Sequence, residues 1–337
     1  MTSPEVNDMQ RFKKILCVME HGEASKPALE RAVALAGNNQ AELMVVGVTP
    51  SLPGGIGMLD TGPVSRDLQA AMISEQEARI LSLLEPYRQR LDIKHGVLMG
   101  TSFLELIRAV LRDGHDLVIK CPESPSWLNR FFSGDDMHLL RKCPCPVWLI
   151  KPEAPTTYRH ILAAVDVDDG YPPKELETRH RLNVQILEMA ASLAISESAE
   201  LHIVHAWESM RELVSAFMVS SDFSGKNVAA DLEQERSRQQ QLLDALLSKI
   251  RAERASVRDA LDYLQPLTHL LKGAARQEIP ALANRLQVDC IIMGTVARTG
   301  IRGFIMGNTA ETILEQIDCS VLAIKPVGFV TPVTLED

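Results

Sequence analysis

The feature that most constrains this chain is a long internal repeat. Residues 138–152 (HLLRKCPCPVWLIKP) return as residues 312–326 (TILEQIDCSVLAIKP), and each copy runs from a short amphipathic helix into an apolar strand that ends in Ile-Lys-Pro. A repeat of this length indicates that a whole domain was duplicated. The 337 residues leave room for two domains of ordinary size. We therefore expect domains over residues 1–152 and 158–327, separated by a short linker that contains two prolines.

Short apolar runs alternate with helical patterns in both halves. The runs predict five strands in each half, at residues 15–19, 43–48, 94–99, 116–120 and 147–150, and at 161–165, 199–204, 264–271, 289–294 and 321–324. Long helices are expected over about 66–91 and 228–255. Strands that alternate with helices predict a parallel sheet covered on both faces, and right-handed crossovers make it doubly wound. The predicted fold class is α/β, with two tandem five-stranded domains.

Composition narrows the function classes. The formal net charge of −9 disfavours nucleic acid or an anionic membrane as a generic partner. We expect neither a secretory signal nor membrane insertion, because the N-terminus has no apolar core and no apolar stretch approaches about 20 residues. The six cysteines are expected as buried or structural thiols rather than disulfides or metal ligands. These points favour the cytoplasm.

The predicted ligand site lies where the strand order reverses, beyond the carboxyl ends of the first and fourth strands. In the second half this point combines Asp166 with the loop that follows Met293. The loop is rich in small residues and leads into a helix predicted to begin near Thr309, whose free N–H groups suit an anion. The candidate binding residues are Asp166, Gly294, Ala297, Arg298, Gly300, Arg302, Gly307, Asn308 and Thr309. A glycine-rich turn with a capped helix and no ligand would use the same residues.

These residues resemble the universal stress protein family, in particular its tandem two-domain E-type, over essentially the whole chain. The resemblance rests on Asp166, on the loop from Gly294 to Asn308, and on the closing Ile-Lys-Pro. It implies an adenine nucleotide alpha hydrolase-like fold of the HUP type. Nucleotide-binding members carry Gly-x2-Gly-x9-Gly-Ser/Thr in this loop. Gly294 and Gly307 match the first and third glycines, whereas Ala297 replaces the second and Asn308 replaces Ser/Thr.

The matching loop of the first half departs further from that pattern. It reads Cys121-Pro122-Glu123-Ser124, and only the glycine at Gly134 is kept. Asp135 and Asp136 place negative charge where a phosphate would lie, and Glu20 replaces the aspartate after the first strand. The first domain is therefore expected to be a degenerate copy without nucleotide, in which Trp127, Phe131 and Phe132 form an apolar plug or contact surface.

Two function classes remain open, and a third ranks lowest. The first is a non-catalytic stress-response protein that binds an adenine nucleotide such as ATP or AMP, with Mg²⁺ entering only with the nucleotide. The second is a scaffold or a carrier of an apolar, lipid-like ligand in the loops at 50–65 and 207–227, with Met58, Met72, Phe217, Met218 and Phe223. A nucleotide hydrolase or transferase ranks lowest, because no catalytic residue and no metal site is predicted. His205 and His269 are expected to end neighbouring strands; a meeting of the two near the cleft is left open, and core or rim histidines are the favoured interpretation.

The fifth strands set the expected assembly. Each would lie at a sheet edge, and an exposed apolar edge needs a cover. The family resemblance implies that single-copy members pair such edges across a dimer. Duplication would supply this pairing within one chain as a pseudo-twofold, and it leaves a further homodimer open.

Overall fold

A computed structural model of the chain describes residues 12–20, 22–51, 63–122, 134–209, 228–295 and 306–335. Strands of the N-terminal half are β1 (Lys14–Val18), β2 (Glu42–Thr49), β3 (Ile93–Met99), β4 (Leu117–Lys120) and β5 (Val147–Leu149). Those of the C-terminal half are β6 (His160–Ala164), β7 (Glu200–Trp207), β8 (Leu267–Lys272), β9 (Cys290–Gly294) and β10 (Ser320–Ile324). All ten form one sheet in the order β3-β2-β1-β4-β5-β10-β9-β6-β7-β8.

Helices connect the strands in both halves. The N-terminal half contains α1 (Lys26–Asn39), α2 (Pro63–Leu84), α3 (Ser102–Asp113) and α4 (Gly134–Lys142). The C-terminal half contains α5 (Pro173–Glu197), α6 (Val228–Glu253), α7 (Ala255–Leu264), α8 (Ala275–Leu286) and α9 (Asn308–Gln316). The buried apolar side chains form two clusters. One contains inward residues of α1, α5, α6 and α7, and the other contains those of α3, α4, α8 and α9. The predicted α/β class with helices on both faces of the sheet is thereby confirmed.

The two halves meet through their fifth strands, which are the one antiparallel pair in the described sheet. Val321, Leu322 and Ala323 of β10 lie opposite Leu149, Trp148 and Val147 of β5, whereas every other strand pairing is parallel. The strand order is the same on both sides of this seam, so the halves are related by a pseudo-twofold, as expected. The apolar edge of each half covers that of the other.

Arg31 joins the halves at the linker. Its guanidinium is 2.8 Å from Glu197 Oε1 of α5 and donates to the carbonyl oxygens of Pro155 and Thr156 at 3.0 and 3.2 Å. The Cζ atom also lies 3.3 Å from the centroid of the Tyr158 ring, in cation–π geometry. A side chain of the first half thus holds the linker against the second.

Two predicted elements are wrong in their bounds. The helix expected to reach Leu91 ends at Leu84 and continues as a 3₁₀ turn at Glu85–Tyr87, because Pro86 has no N–H for the helical ladder. The strand expected from residue 264 begins at Leu267, since residues 255–264 form α7. Val257, Ala260 and Leu261 are buried at helical spacing, and Gln265 ends the helix at φ 47°.

Candidate functional site

A cavity of about 1330 Å³ opens at the carboxyl ends of β6, β7 and β9. Its floor contains Val165 and Met293, and its walls come from α5, α6 and the N-terminal ends of α8 and α9. Ligand pockets commonly measure about 300–1000 Å³, so a mononucleotide fits this volume. The cavity lies where the order of strands reverses between β6 and β9, which is the position predicted for a ligand.

Five of the nine predicted site residues line this one cavity: Asp166, Gly294, Gly307, Asn308 and Thr309. The other four, Ala297, Arg298, Gly300 and Arg302, lie outside the described residues, as does most of the loop between β9 and α9. The two ends of that loop are adjacent, because the Gly307 N–H donates to the Thr295 carbonyl oxygen at 3.2 Å. Thr295 and Gly307, which flank the undescribed part of the loop, therefore meet beside the cavity.

The N-terminus of α9 presents backbone N–H groups at the cavity. Gly307 is its N-cap residue, with φ −63° and ψ 137°, and makes no side-chain cap. Asn308 and Thr309 lie inside the first turn and are exposed. The first N–H groups of a helix have no intrahelical acceptor and carry the positive end of the dipole. Their position on the cavity wall suits an anionic group.

Gly294 is required by a close approach to α5. A Cβ atom at this position would lie 2.6 Å from Cδ2 of Leu182, and Leu182 itself lines the cavity. Real carbon atoms do not approach so closely, so a larger residue would push Leu182 into the cavity. The glycine at the end of β9 thus keeps the cavity floor open.

Asp166 is held by a network that the sequence did not reveal. Its backbone N–H donates to Asn183 Oδ1 at 3.1 Å, and Asn183 Nδ2 donates to the Asp166 carbonyl oxygen at 2.7 Å. Its carboxylate accepts from the backbone N–H of Asp168 at 3.1 Å and forms an ion pair with Arg179. A carboxylate offers about four lone-pair directions, so Asp166, with 43% of its side chain exposed, can accept further hydrogen bonds.

Arg179 is the most important cavity residue that was missed. It lies in α5, pairs with Asp166 and with Glu175 Oε1 at 2.9 Å, and its Cζ lies 3.5 Å from the centroid of the Tyr171 ring. Glu175, Arg179 and Asn183 follow each other at four-residue intervals. This polar stripe on an otherwise apolar face of the helix was the available sequence signal.

His205 lines the cavity without His269, so the two histidines do not meet there, in line with the favoured interpretation of a core or rim histidine. His205 is buried, its Nδ1 is 3.3 Å from the Val165 carbonyl oxygen, and its Nε2 is 3.2 Å from Gln239 Oε1. His269 instead contacts His202, with Nε2 and Nδ1 3.0 Å apart. The register explains the difference, because His269 lies opposite Val204 and therefore faces the other side of the sheet from His205.

A buried lysine supports the start of the loop. Lys325 Nζ is 2.5 Å from Thr295 Oγ1 and also donates to the Leu140 carbonyl oxygen. Burial lowers the pKa of Lys325 to about 7, against an opposing effect of Cys143. Thr295 is itself fully buried. Its hydroxyl therefore links the start of the loop to Lys325, and Thr295 also lines the cavity.

The N-terminal half fills the equivalent place with its own charges. Register makes Lys120 the counterpart of Met293, and its Nζ is 2.8 Å from both Glu20 Oε2 and Asp136 Oδ1. Asp136, in the first turn of α4, is fully buried. Burial alone would lower the pKa of Lys120, but the two carboxylates outweigh it and raise the pKa. Two of the predicted acids, Glu20 and Asp136, are thus present at this position, and both pair with a lysine that the sequence analysis did not single out.

Several predicted features fall outside the described residues or away from the cavity. Trp127, Phe131 and Phe132 lie outside the described residues, as do Met58, Phe217, Met218 and Phe223. Met72 lies on α2 and does not line the cavity. All six cysteines are free and buried, as expected. Within the described residues, no helix has the length and hydropathy to cross a bilayer.

Charges of both signs line the cavity. On the side of β6, α5 and α6 the acids are accompanied by Arg179 and Arg238, whereas Arg276 and two helix N-termini lie on the side of α8 and α9; the acids are Asp166, Asp168, Glu208, Asp231 and Glu235. Carboxylates accept from hydroxyl and amine groups, whereas helix N-termini and arginine bind anions. The cavity can therefore hold a molecule with hydroxyl or amine donors at one end and negative charge at the other.

Comparison with known proteins gives a consistent result over both halves. A family model described as "Universal stress protein family" matches residues 11–151 and again residues 157–325. Universal stress protein E of Escherichia coli (strain K12) is 30% identical over 340 residues, which cover 98% of this chain and 99% of that protein. Universal stress protein E of Photorhabdus laumondii is 25% identical over 330 residues, with 96% and 98% covered.

Solved structures agree on the fold. A putative universal stress protein from Pseudomonas aeruginosa superposes with a TM-score of 0.64 at 25% identity, covering 95% of each chain. A universal stress protein from Archaeoglobus fulgidus has a TM-score of 0.56 at 18% identity, over 93% of this chain and 98% of that one, which is a likeness of fold alone.

Proposed function

The chain belongs to the universal stress protein family, and we propose that it is a non-catalytic stress-response protein whose C-terminal half binds an adenine nucleotide. The observation that carries the proposal is the cavity at the end of β9. It has room for a mononucleotide and joins the N-terminus of α9 to a carboxylate at Asp166. Gly294 keeps this part of the cavity clear, because a side chain at this position would contact Leu182, which also lines the cavity.

In this proposal the nucleotide spans the cavity from Asp166 to the N-terminus of α9. The phosphates lie at the N–H groups of Asn308 and Thr309, where the dipole of α9 favours negative charge. The ribose hydroxyls or the adenine amine donate to Asp166, whose position Asn183 fixes. Ala297, Arg298, Gly300 and Arg302 complete the phosphate side of the site. Mg²⁺ enters only with the nucleotide.

The domain roles follow from the contrast between the halves. We propose that residues 158–327 are the nucleotide-binding domain and that residues 1–152 are a degenerate copy that binds none. In the first domain the Lys120 ammonium is already paired with both Glu20 and Asp136, at 2.8 Å from each. A phosphate brought to that place would meet two carboxylates. Pairing of β5 with β10 would then replace the subunit pairing of single-copy relatives, in a protein that works in the cytoplasm.

A carrier of an apolar ligand has less support from the cavity. Its described lining includes charged side chains on α5, α6 and α8, among them Arg179, Glu235 and Arg276. Contact with an apolar ligand would remove water from these groups, at a cost in free energy. Native mass spectrometry of gently purified protein distinguishes the two functions, because a co-purified lipid would favour the carrier.

Calorimetric titration of the full chain with ATP, ADP and AMP tests the nucleotide proposal. We expect wild type to bind at least one of them, and Gly307→Val to weaken binding by about tenfold or more. The valine side chain would cover the N–H groups of the first turn, and a lost hydrogen bond to a charged group costs about 1.5–3 kcal/mol. Gly134→Val, the matching change at the start of α4, serves as the control and should bind like wild type.

Two results would contradict the proposal. The first is the absence of binding of all three nucleotides to wild type. The second is equal binding by wild type and Gly307→Val, with circular dichroism showing both to be folded. Phosphorus NMR of ATP incubated with the protein tests the non-catalytic part, and turnover that Asp166→Asn abolishes would refute it.

A further inference from the structure

A second cluster of polar side chains lies at the opposite end of the C-terminal half from the cavity. His160 and Glu200 are the first residues of β6 and β7, and His202 follows two residues after Glu200. One donor atom from each of these three residues lies within 4.8 Å of the other two. They occupy the amino ends of the strands, whereas the cavity lies at the carboxyl ends. The cluster is therefore separate from the proposed nucleotide site.

The sheet register brings these three side chains to one face. His160 lies directly opposite Glu200, and Leu162 lies opposite His202, so the alternation of each strand places His160, Glu200 and His202 on the same side. His160 Nδ1 is 3.5 Å from Glu200 Oε2. The carboxylate of Asp289 fixes the start of β6, because Oδ2 accepts from the His160 N–H at 2.9 Å. The arrangement is thus built into the strand pairing.

His202 has an unpartnered nitrogen that points to a ligand. The residue is 2% exposed, its Nδ1 is 3.0 Å from His269 Nε2, and its Nε2 is buried without a hydrogen-bond partner. His160 Nδ1 is likewise buried without one. When His202 Nδ1–H donates to His269, the lone pair of His202 Nε2 is left free. A histidine that ligates a metal donates its other ring N–H to a neighbour in this way.

We propose that His160, Glu200 and His202 form a site for a divalent first-row metal ion, with Zn²⁺ as the best match. Two imidazoles and one carboxylate are a typical Zn²⁺ ligand set, and a water completes four-coordination. His269 acts as a positioning residue through its hydrogen bond to His202.

Small side-chain movements close the site. Donor atoms in a tetrahedral zinc site lie about 3.3 Å apart, given Zn–N distances of about 2.0–2.1 Å. The present separations of up to 4.8 Å exceed this distance by at most about 1.5 Å, which a rotation of the exposed side chains can supply. His160 and Glu200 have 36% and 49% of their side chains exposed and can rotate, whereas buried His202 provides a fixed point. An ion can reach the site from the surface beside Glu200.

The N-terminal half supplies an internal comparison. The register makes Lys14, Glu42 and Met44 the counterparts of His160, Glu200 and His202. Glu42 there pairs with Lys94 at 2.9 Å. The carboxylate is thus present in both halves, but the two imidazoles are present only in the second. The proposed metal site distinguishes the halves independently of the nucleotide cavity.

Titration of chelator-treated full-length protein with Zn²⁺, followed by calorimetry, tests this proposal. We expect one Zn²⁺ per chain at micromolar or lower concentrations, and a loss of affinity of at least about tenfold in His160→Gln and in Glu200→Gln. Both residues are partly exposed, so these variants should fold. The matched control is His180→Gln, since His180 Nε2 is 3.2 Å from Glu253 Oε2 in a pair that offers only two ligands. The control should bind like wild type.

The ligand types give a second readout. X-ray absorption at the zinc edge should show only nitrogen and oxygen neighbours. His269→Leu should weaken binding about tenfold, and His269→Asn, whose amide oxygen can accept from His202, should restore part of it. The proposal is overturned by the absence of saturable binding, by wild-type affinity in His160→Gln and Glu200→Gln, or by sulfur neighbours. Sulfur would place the ion at Cys143 and Cys145, whose Sγ atoms are 3.6 Å apart.

Discussion

Replacement of Lys120 by methionine should destabilise the protein strongly, because it leaves buried carboxylates without their cation. Lys120 Nζ is 2.8 Å from both Glu20 and Asp136, and the three side chains are 2%, 10% and 0% exposed. Methionine stands at the equivalent position of the C-terminal half, as Met293, so its size and shape suit the sheet. The change therefore removes the charge with little change in packing.

The magnitude follows from the burial of the partners. Removal of one member of a buried ion pair costs about 3–5 kcal/mol, since the remaining charge is held away from water. Asp136 is fully buried, so we expect a loss in this range, equivalent to a rise of roughly 10²- to 10⁴-fold in the unfolding equilibrium constant. The pKa of Lys120 is raised in the folded state, so its stabilisation is complete below the ordinary lysine pKa of 10.5. The loss should therefore be measurable at pH 7.

A double variant identifies the cause. Lys120→Met with Asp136→Ala removes the stranded carboxylate along with the cation and should recover most of the lost stability. Urea unfolding, followed by tryptophan fluorescence and circular dichroism, gives the free energies of unfolding. Single-variant losses below about 1 kcal/mol, or a double variant as unstable as Lys120→Met, would refute the reasoning that these charges compensate each other.

Two further predictions concern the seam and the buried lysine. Leu322→Pro should destabilise both halves together, because proline removes an N–H from a central strand that pairs with β5 and β9; separate melting of the halves in calorimetry would contradict it. Burial lowers the folded-state pKa of Lys325 to about 7 from 10.5. The unfolded chain therefore binds more protons than the folded chain between these pH values. The free energy of unfolding should rise with pH across that window, by at most about 1.4 kcal/mol per pH unit. Lys325→Met should flatten this rise in urea unfolding measured from pH 7 to 10, and an unchanged slope would count against it.

The fold was predictable from the sequence because its signals are local and repeated. The apolar runs predicted the ten strands, and the duplicated Ile-Lys-Pro segments predicted that β5 and β10 occupy equivalent places in the two halves. The end of α2 was less predictable, although Pro86 was visible. The missed helix α7 had buried residues at helical spacing, including Val257 and Leu261, next to a run that also fits a strand. Short apolar runs of this kind are ambiguous without tertiary contacts.

The site was predictable in its location but not in its contacts. The strand order located the cavity, and Asp166 and Gly307 both line it. Arg179 was missed because its role depends on how α5 lies against the end of β6. The cluster of His160, His202 and His269 was invisible for a similar reason. Its members belong to three strands, and only the register of β6, β7 and β8 brings them together.

The two halves share one topology but differ in the charged groups at the point where the strand order reverses. In the first half Lys120, at the end of β4, pairs with the two carboxylates of Glu20 and Asp136. In the second half Met293 replaces that cation, and the carboxylate at Asp166 turns instead to Arg179 at the cavity wall. A buried ion triad contributes little net stability compared with apolar packing. Under the proposed function the contrast reflects ligand binding rather than stability, because only the second half would need an open cavity.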